Sequence, residues 1–525
     1  MGTRKGWFPV RRLIICCDGT WCDPDVESVT NVRRFYNALS DQDSSGRRQL
    51  ACYQPGVGTT GGVLRRMLGG ALGSGLSDDV MAAYQWLATT YSPGDAVALV
   101  GFSRGAYTVR SLAGFVGASG LVDLRERPPA EAGKLVARAY RHYRARDDSP
   151  EWREGLAFRY DPRSGGEFPI DFLGVWDTVG SLGVPGYFTG LNLLDPPDRY
   201  RFHDMKLNPR IKHGRHALAL DERRRPFTPT RWVAPEPGQD IEERWFPGSH
   251  MDVGGGHRET ALSDRGLQWM IGEAEKHAGL GFHRASVQAL SPDPAGLLHN
   301  DDRGVFGVLP TVVEPLMQPI LEAALQYRPR AVPRVTAEVA EIDPSAVERR
   351  RAQPITGGRY RPTQVLAPGE SATVGVAAHE LWHDTGLYLE PGHYRFSASG
   401  QWYDGTGWSG PEGRAVAGLL RHVVGSVLAL GLRWYRRLPG QDVAYAPLAP
   451  REVDLPWMSL VGYVANDAHP CPGAPNGREH QRIAIGAGAG CEVRSPGYCY
   501  AFANDAWGRY GTNRGTVTLT VSRDS

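Results

Sequence analysis

Residues 95–113 read D-A-V-A-L-V-G-F-S-R-G-A-Y-T-V-R-S-L-A. The apolar run at 96–100 predicts a strand buried on both faces, and the apolar residues after Gly105 recur at helical spacing. Between them stands G-x-S-x-G, which forms a nucleophile elbow when a strand precedes it and a helix follows. Ser103 is therefore predicted to be a nucleophile at a helix N-terminus, where N–H groups and the helix dipole favour an oxyanion. A chance pentapeptide is the alternative, since the chain has 65 glycines.

Other apolar runs along the first half of the chain also end in polar or glycine residues. These runs lie at 12–17, 170–176, 216–220 and 244–246. They alternate with segments of helical pattern, at 32–39, 76–91 and 130–146. Strands that alternate with helices predict a doubly wound, mostly parallel α/β sheet.

A serine, then an acid, then a histidine is the chain order of α/β-hydrolases. Asp177 ends a strand that follows the serine, and His250 lies in the glycine-rich sequence G-S-H-M-D-V-G-G-G. A histidine base needs a flexible loop that reaches the serine and a carboxylate that fixes its tautomer. We therefore predict an α/β-hydrolase-like sheet and a triad of Ser103, His250 and Asp177. Asp252 is the alternative acid or a supporting partner, and His257 is the alternative base.

The first strand ends in Asp18-Gly19-Thr20. Asp-Gly-Thr also occurs in phosphatases with an aspartyl nucleophile, which leaves Asp18 as a reserve catalytic residue. That class needs a second aspartate at the position that Cys16 holds. We favour an oxyanion hole formed by backbone N–H groups near Gly19 and Thr20, opposite the N–H of Arg104.

From about residue 364 the pattern changes to short period-two strands with Gly/Pro turns, which predicts an all-β sandwich. The predicted domains are 1–366 and 367–525. Within the first, residues 284–366 form a cap or flanking region with an apolar helix at 312–327. Within the second, a helical insertion lies near 412–438, although its apolar run 415–432 could also lean on a bilayer.

Net charge and the N-terminal sequence bear on the binding partners and the cellular location of the protein. A formal net charge of +2 gives no reason to expect nucleic-acid binding. No secretory signal is evident at the N-terminus, so we expect synthesis in the cytoplasm.

Cys491 and Cys499 flank a hairpin-like loop and could be bridged in an oxidising compartment. His379 to His383 match H-E-x-x-H, but a strand pattern follows at once, so we reject a zinc-protease helix.

Six motifs in order resemble one known family. They are Cys17 to Trp21, Thr30-Asn31-Val32, Tyr53 to Thr59, Gly101 to Tyr107, Trp176 to Gly180 and Trp245 to Gly256. Over residues 10–366 the chain resembles the α/β-hydrolase family of the type VI secretion phospholipase effectors (family one). The triad chemistry itself requires no metal. The resemblance implies hydrolysis of ester bonds in bacterial phospholipids. It also implies a membrane surface as the place of action, export to a target-cell periplasm or membrane, and an immunity protein.

The loop at 503–517 is similar to that of small bacterial galactophilic lectins. In those lectins the loop donates oxygens to a calcium ion that holds the sugar. Asp505 and Asn513 match ligand positions, whereas Arg509 and Thr512 replace oxygen-bearing residues. The resemblance implies a lectin-like fold, with calcium and a glycan as expected ligands.

Three hypotheses follow. The first is a serine phospholipase with a lectin-like targeting module. The second is a carbohydrate-binding or adhesion protein whose hydrolase part is inactive, for which glycan-array binding without fluorophosphonate labelling would be the evidence. The third is an esterase of acylated glycans, which gives both halves one substrate.

Overall fold

The structure is a computed structural model that places most of the chain. It describes residues 10–19, 29–56, 72–146, 149, 151–179, 207–232, 235–299, 327–352, 359–414, 449–470 and 478–525. The chain divides into two compact units. The first unit comprises Met1–Ala219 and Pro229–His299, and the second comprises Leu220–Thr228 and Asn300–Ser525.

A six-stranded parallel sheet forms the centre of the first unit. The strands described in this unit are β1 Arg12–Cys17, β2 Gln49–Gln54, β3 Ala96–Phe102, β4 Leu121–Val122, β5 Phe158–Tyr160, β6 Ile170–Trp176, β7 His213–Ala219 and β8 Asp240–Phe246. The sheet has the order β2-β1-β3-β6-β7-β8, and all neighbours pair in parallel. The short strands β4 and β5 form a separate antiparallel pair. The predicted mostly parallel sheet is confirmed.

Helices cover both faces of this sheet. The described helices of the first unit are α1 Asn31–Ala38, α2 Leu72–Thr90, α3 Arg104–Ser119, α4 Pro129–Ala145, α5 His250–Gly254, α6 Ala261–Ala278 and α7 Arg284–Gln288. Leu13 and Ile15 of β1 pack with α2, α3 and α4. Ile14 and Cys16 pack with α1 and α6 on the opposite face. This double burial explains why the strands read as continuous apolar runs.

The chain order reverses beside β1, which lies between β2 and β3. In open α/β sheets the crevice beyond the carboxyl ends of the strands at such a reversal is where ligands bind. The residue after β3 is Ser103, and Gly19 follows β1. A Cβ atom placed on Gly19 would lie 3.1 Å from the Cβ of Ser103. The fold therefore places the predicted nucleophile at the edge where function is expected.

Two antiparallel sheets form the second unit. Its described elements are α8 Pro344–Arg351, β9 Ser371–Ala377, β10 His383–Leu389, β11 Gly392–Tyr403, β12 Trp408–Ser409, β13 Leu460–Pro470, β14 Arg478–Ala484, β15 Gly488–Val493, β16 Gly497–Ala503 and β17 Arg514–Arg523. One sheet has the order β10-β16-β13-β14, and the other has β12-β11-β17-β9 with β15 on β11. Residues from both sheets share one hydrophobic core.

The border between the units differs from the predicted domain border at residue 366. Described residues from 327 onward pack within the second unit. The Pro329 carbonyl bonds His480 at 2.7 Å, and the N–H of Val335 donates to the hydroxyl of Tyr498 at 3.0 Å. Apart from their ends, the predicted helix at 312–327 and the insertion near 412–438 lie outside the described residues. Among the helices that the structure describes, none has the length and apolar character needed to cross a membrane.

The structure shows the conformation of two sequence motifs of the second unit, H-E-x-x-H and the pair of Cys491 and Cys499. His379 lies in a turn and His383 begins β10, so H-E-x-x-H is not on a helix and the rejection of a zinc-protease site is confirmed. The side chain of His383 instead lies 3.0 Å from the carboxylate of Glu380. Cys491 and Cys499 are both free thiols, so the structure contains no bridge between them.

Candidate active site

Ser103 stands in a strained turn between β3 and α3. Its φ of 56° and ψ of −119° are unusual for a residue with a side chain. Its N–H donates to the carbonyl of Trp176 at 3.1 Å, which continues the pairing of β3 with β6. This is the sharp strand-to-helix turn that the G-x-S-x-G sequence predicts.

The two motif glycines are required by close backbone contacts. A Cβ atom at Gly101 would lie 2.6 Å from the carbonyl oxygen of Gly105. A Cβ atom at Gly105 would lie 2.1 Å from the carbonyl oxygen of Cys17, at the end of β1. Both distances are shorter than a side chain can tolerate, so the first turn of α3 can approach β1 only with glycine at these positions.

Asp177 and His250 form a buried pair next to this turn. Phe102 and Trp176 are partners in the sheet, so the residues that follow them, Ser103 and Asp177, leave neighbouring strands at the same level. His250 Nδ1 lies 2.6 Å from Asp177 Oδ2, and the N–H of Ala219 donates to Asp177 Oδ1 at 3.1 Å. Because a carboxylate accepts, the imidazole proton is on Nδ1, and Nε2 is the ring nitrogen that can accept another proton.

His250 is the first residue of the short helix α5, whereas a flexible loop was expected there. A capping box begins this helix: the Ser249 side chain accepts from the N–H of Asp252, and Asp252 accepts from the N–H of Ser249. The ring of His250 also packs against that of Phe102, with centroids 4.6 Å apart. Helix capping and ring packing hold the histidine, so the glycine-rich sequence reflects close packing and not mobility.

The alternative residues Asp252 and His257 belong to a neighbouring cluster. Asp252 Oδ1 lies 2.6 Å from His299 Nδ1, and Glu259 Oε2 lies 3.2 Å from the other ring nitrogen. His257 stacks on His299 with ring centroids 3.7 Å apart. Asp252 thus links the cap of α5 to His299, which nothing in the sequence pattern had singled out.

This cluster predicts a pH-dependent contribution to stability. The bond to Asp252 raises the pKa of His299 above 6.5, and Glu259 adds to that effect. The contribution is therefore fully present below about pH 6.5 and is lost as the pH rises through the raised pKa. We expect His299→Gln to lower the Tm more at about pH 5.5 than at about pH 8.5. Equal losses at both pH values would contradict this, and His393→Gln, at an exposed histidine, is the control.

Of the three residues predicted to form the oxyanion hole, the structure describes Gly19 and Arg104, and their N–H groups have different surroundings. The Asp18 carboxylate accepts from Thr30 Oγ1 at 2.5 Å, from the Tyr53 hydroxyl at 2.7 Å and from the N–H of Gly19 at 2.7 Å. Asp18 therefore fixes the segment after β1, and its bond to Gly19 competes with an oxyanion. Arg104 is the first residue of α3, so its N–H points out of the N-terminal end of the helix. Thr20 lies outside the described residues.

A second buried network supports Asp177 from the side of β7. The N–H of Thr178 donates to His216 Nε2 at 3.1 Å, so the ring proton is on Nδ1 and faces Glu243 Oε1 at 3.2 Å. Burial lowers the pKa of His216, which favours the neutral ring. Burial would raise the pKa of Glu243, but bonds from His216 and other donors lower it to about 2. This pair could not be predicted, because two polar residues on adjacent strands resemble surface residues.

The predicted calcium residues lie in the segment between β16 and β17. Asp505 is buried and accepts from the N–H of Ala506 at 2.7 Å. Asn513 Oδ1 is buried and has no hydrogen-bond partner among the described residues, which a cation would satisfy. Arg509, at another implied ligand position, is exposed and adds a positive charge. Binding of calcium or a glycan by this segment stays a prediction.

An open parallel sheet with a strained serine and a buried acid–histidine pair at its carboxyl edge is typical of enzymes that hydrolyse esters. Residues 11–273 match the family described as T6SS, Phospholipase effector Tle1-like, catalytic domain. The match spans half of the chain, and the chain belongs to this family. The family is one of phospholipase effectors and implies lipid substrates and secretion by the type VI system.

Individual proteins give weaker similarities. Over 234 residues the chain is 29% identical to "Uncharacterized protein YEL023C" of Saccharomyces cerevisiae, which covers 41% of this chain and 32% of the yeast protein. The chain thus spans about a third of the length of that relative. An uncharacterized protein from Pseudomonas aeruginosa has a TM-score of 0.30 at 19% identity, over 55% of this chain and 49% of that chain. The structure titled "EclA N-terminal domain; PllA-like lectin" has a TM-score of 0.18 at 18% identity, over 29% of this chain and 95% of that chain.

Proposed function

We propose that this chain is a serine ester hydrolase, a phospholipase that cleaves bacterial membrane lipids with Ser103, His250 and Asp177. The observation that carries the proposal is the buried 2.6 Å contact between Asp177 and His250 beside the strained Ser103 turn. A carboxylate buried against a histidine fixes the tautomer that a serine nucleophile needs.

The reaction proceeds in two halves. His250 Nε2 takes the hydroxyl proton of Ser103 while Ser103 Oγ attacks the acyl carbonyl of the lipid. The tetrahedral intermediate then collapses, the proton passes from His250 to the departing alcohol, and the acyl group stays on Ser103. Water, deprotonated by His250, attacks this acyl-enzyme, and the proton returns to Ser103 as the fatty acid leaves.

The surrounding groups stabilise the charges that develop. Asp177 stays ionised and stabilises the imidazolium that forms on His250. The N–H of Arg104 at the start of α3 is a donor for the oxyanion, and the helix dipole acts in the same direction. The N–H of Gly19 joins it only after leaving the carboxylate of Asp18, so we assign the larger share to Arg104.

A lipid-class panel tests this function. Purified full-length chain is incubated with vesicles of phosphatidylethanolamine, phosphatidylglycerol or phosphatidylcholine and, separately, with acylated oligosaccharides. We expect free fatty acid from the phospholipids by mass spectrometry, with EDTA present throughout. Release from the acylated oligosaccharides alone would favour the glycan-esterase hypothesis. Absence of hydrolysis on every substrate, without fluorophosphonate labelling, would contradict the proposal.

A further inference from the structure

A second group of chemically versatile side chains lies at the opposite edge of the parallel sheet. His213 begins β7, Asp240 begins β8, and the two residues are direct partners in the sheet. His277 lies in the last turn of α6. Asp177 and His250 follow the carboxyl ends of strands, whereas this group lies at the amino ends, about 20 Å away along a seven-residue strand. It is therefore separate from the candidate active site.

The two imidazole rings converge on one carboxylate. His213 Nδ1 lies 3.1 Å from Asp240 Oδ2, and His277 Nδ1 lies 3.5 Å from the same oxygen. Two ligands of a tetrahedral zinc ion are about 3.4 Å apart when each bond is about 2.0–2.1 Å long. One potential ligand atom from each residue lies within 4.8 Å of the others. These spacings suit a common metal ion with little movement of the side chains.

The surroundings supply the orientation and the charge that such an ion requires. His277 Nε2 is buried, has no hydrogen-bond partner among the described residues, and lies 3.4 Å from Glu273 Oε2. Once Nδ1 binds a metal, Nε2 carries the proton and can donate to Glu273, the arrangement that orients many metal-binding histidines. Arg215 contacts both Glu273 and Asp240, and Glu242 lies near it. Arg244 also pairs with Glu242, so these three carboxylates outnumber the two arginines by one.

The ligand types also suit a metal ion. Two imidazoles and one carboxylate are side chains that bind divalent transition metals in proteins.

We propose that His213, His277 and Asp240 bind a divalent transition-metal ion, with zinc the best fit to two nitrogens and one oxygen. Glu273 orients His277, and water takes the fourth position, because the Asp240 side chain is 48% exposed. The ion joins β7, β8 and α6. These elements also support the candidate active site, since β7 ends at Ala219 and the chain passes from β8 into α5.

Zinc binding to the full-length, tag-free chain tests this site. After removal of metal with EDTA and dialysis, ZnCl₂ is titrated by calorimetry and the Tm is measured with and without zinc. We expect a bound equivalent that raises the Tm by about 5 °C at a zinc concentration of about 100 times the Kd. His277→Ala should weaken this equivalent by about 100-fold, and Glu273→Gln by about 10-fold. Circular dichroism establishes that each variant is folded.

His299→Ala is the matched control, because His299 belongs to the other histidine–carboxylate cluster, with Asp252 and His257. This variant should keep the zinc equivalent. If His277→Ala does not fold, His213→Ala at the edge of the strand replaces it. Wild-type protein that binds no zinc at about 1 mM would overturn the proposal. So would folded His277 or His213 variants with wild-type affinity, or loss of the zinc in His299→Ala alone.

Discussion

Replacing Ser103 by alanine is expected to lower kcat for ester hydrolysis by about 10⁵-fold, while KM changes little. The hydroxyl oxygen forms the acyl-enzyme, and no other group takes its place in the proposed chemistry. The turn itself should survive, because Ala keeps the Cβ and the strain is held by the contacts of Gly101 and Gly105 with the backbone. A p-nitrophenyl ester and a phospholipid vesicle are the two substrates, and fluorophosphonate labelling is the independent readout.

Ser119→Ala is the control for this experiment. Ser119 is the last residue of α3 and is fully buried, and its hydroxyl has no partner among the described residues. Its replacement should leave turnover within about twofold of the wild type, as expected for a substitution that removes no contact. If Ser103→Ala keeps wild-type turnover and labelling on both substrates, Ser103 is not the nucleophile.

The sheet could be predicted because its strands are buried on both faces. Such strands appear as short apolar runs, and each run predicted in the first half of the chain overlaps a strand of the structure. The turn after β3 could be predicted because close backbone contacts require Gly101 and Gly105. Both features leave short, continuous patterns in the chain, which is why sequence alone reveals them.

Parts of the site that depend on contacts between distant residues could not be predicted. The sequence indicated that Asp177 and His250 act together, and they lie 2.6 Å apart. It gave no sign that His299 binds Asp252 or that His216 binds the N–H of Thr178, because neither histidine belongs to a recognisable catalytic pattern. The glycines around His250 suggested a loop, although the S-x-x-D pattern at Ser249 could have indicated a capped helix.

The border between the two units also depends on contacts that the sequence pattern does not reveal. Composition changes near residue 366, where period-two strands begin, so the predicted border was placed there. Residues 327–352 have no sheet pattern of their own but bond with strands of the second unit through Pro329 and Val335. A segment's packing partner depends on tertiary contacts, and composition carries little information about it.

Asp177→Asn is expected to lower kcat by about 10⁴-fold without unfolding the protein. The amide oxygen can still accept from the N–H of Ala219, which preserves that contact. The amide NH₂ would then face His250 Nδ1 and favour the tautomer that carries its proton on Nε2, which cannot take a proton from Ser103. Steady-state kinetics on the p-nitrophenyl ester measure the loss, and the unchanged Tm separates it from misfolding.

Asp252→Asn provides the comparison that decides between the two candidate acids. Asp252 accepts from Ser249 and His299, so its replacement should lower the Tm through the weakened cap of α5. Because these bonds of the Asp252 carboxylate do not involve the His250 ring, kcat should fall by about tenfold or less. A larger loss of kcat in Asp252→Asn than in Asp177→Asn would make Asp252 the acid of the triad. The 2.6 Å bond of Asp177 to His250 would then be a structural contact only.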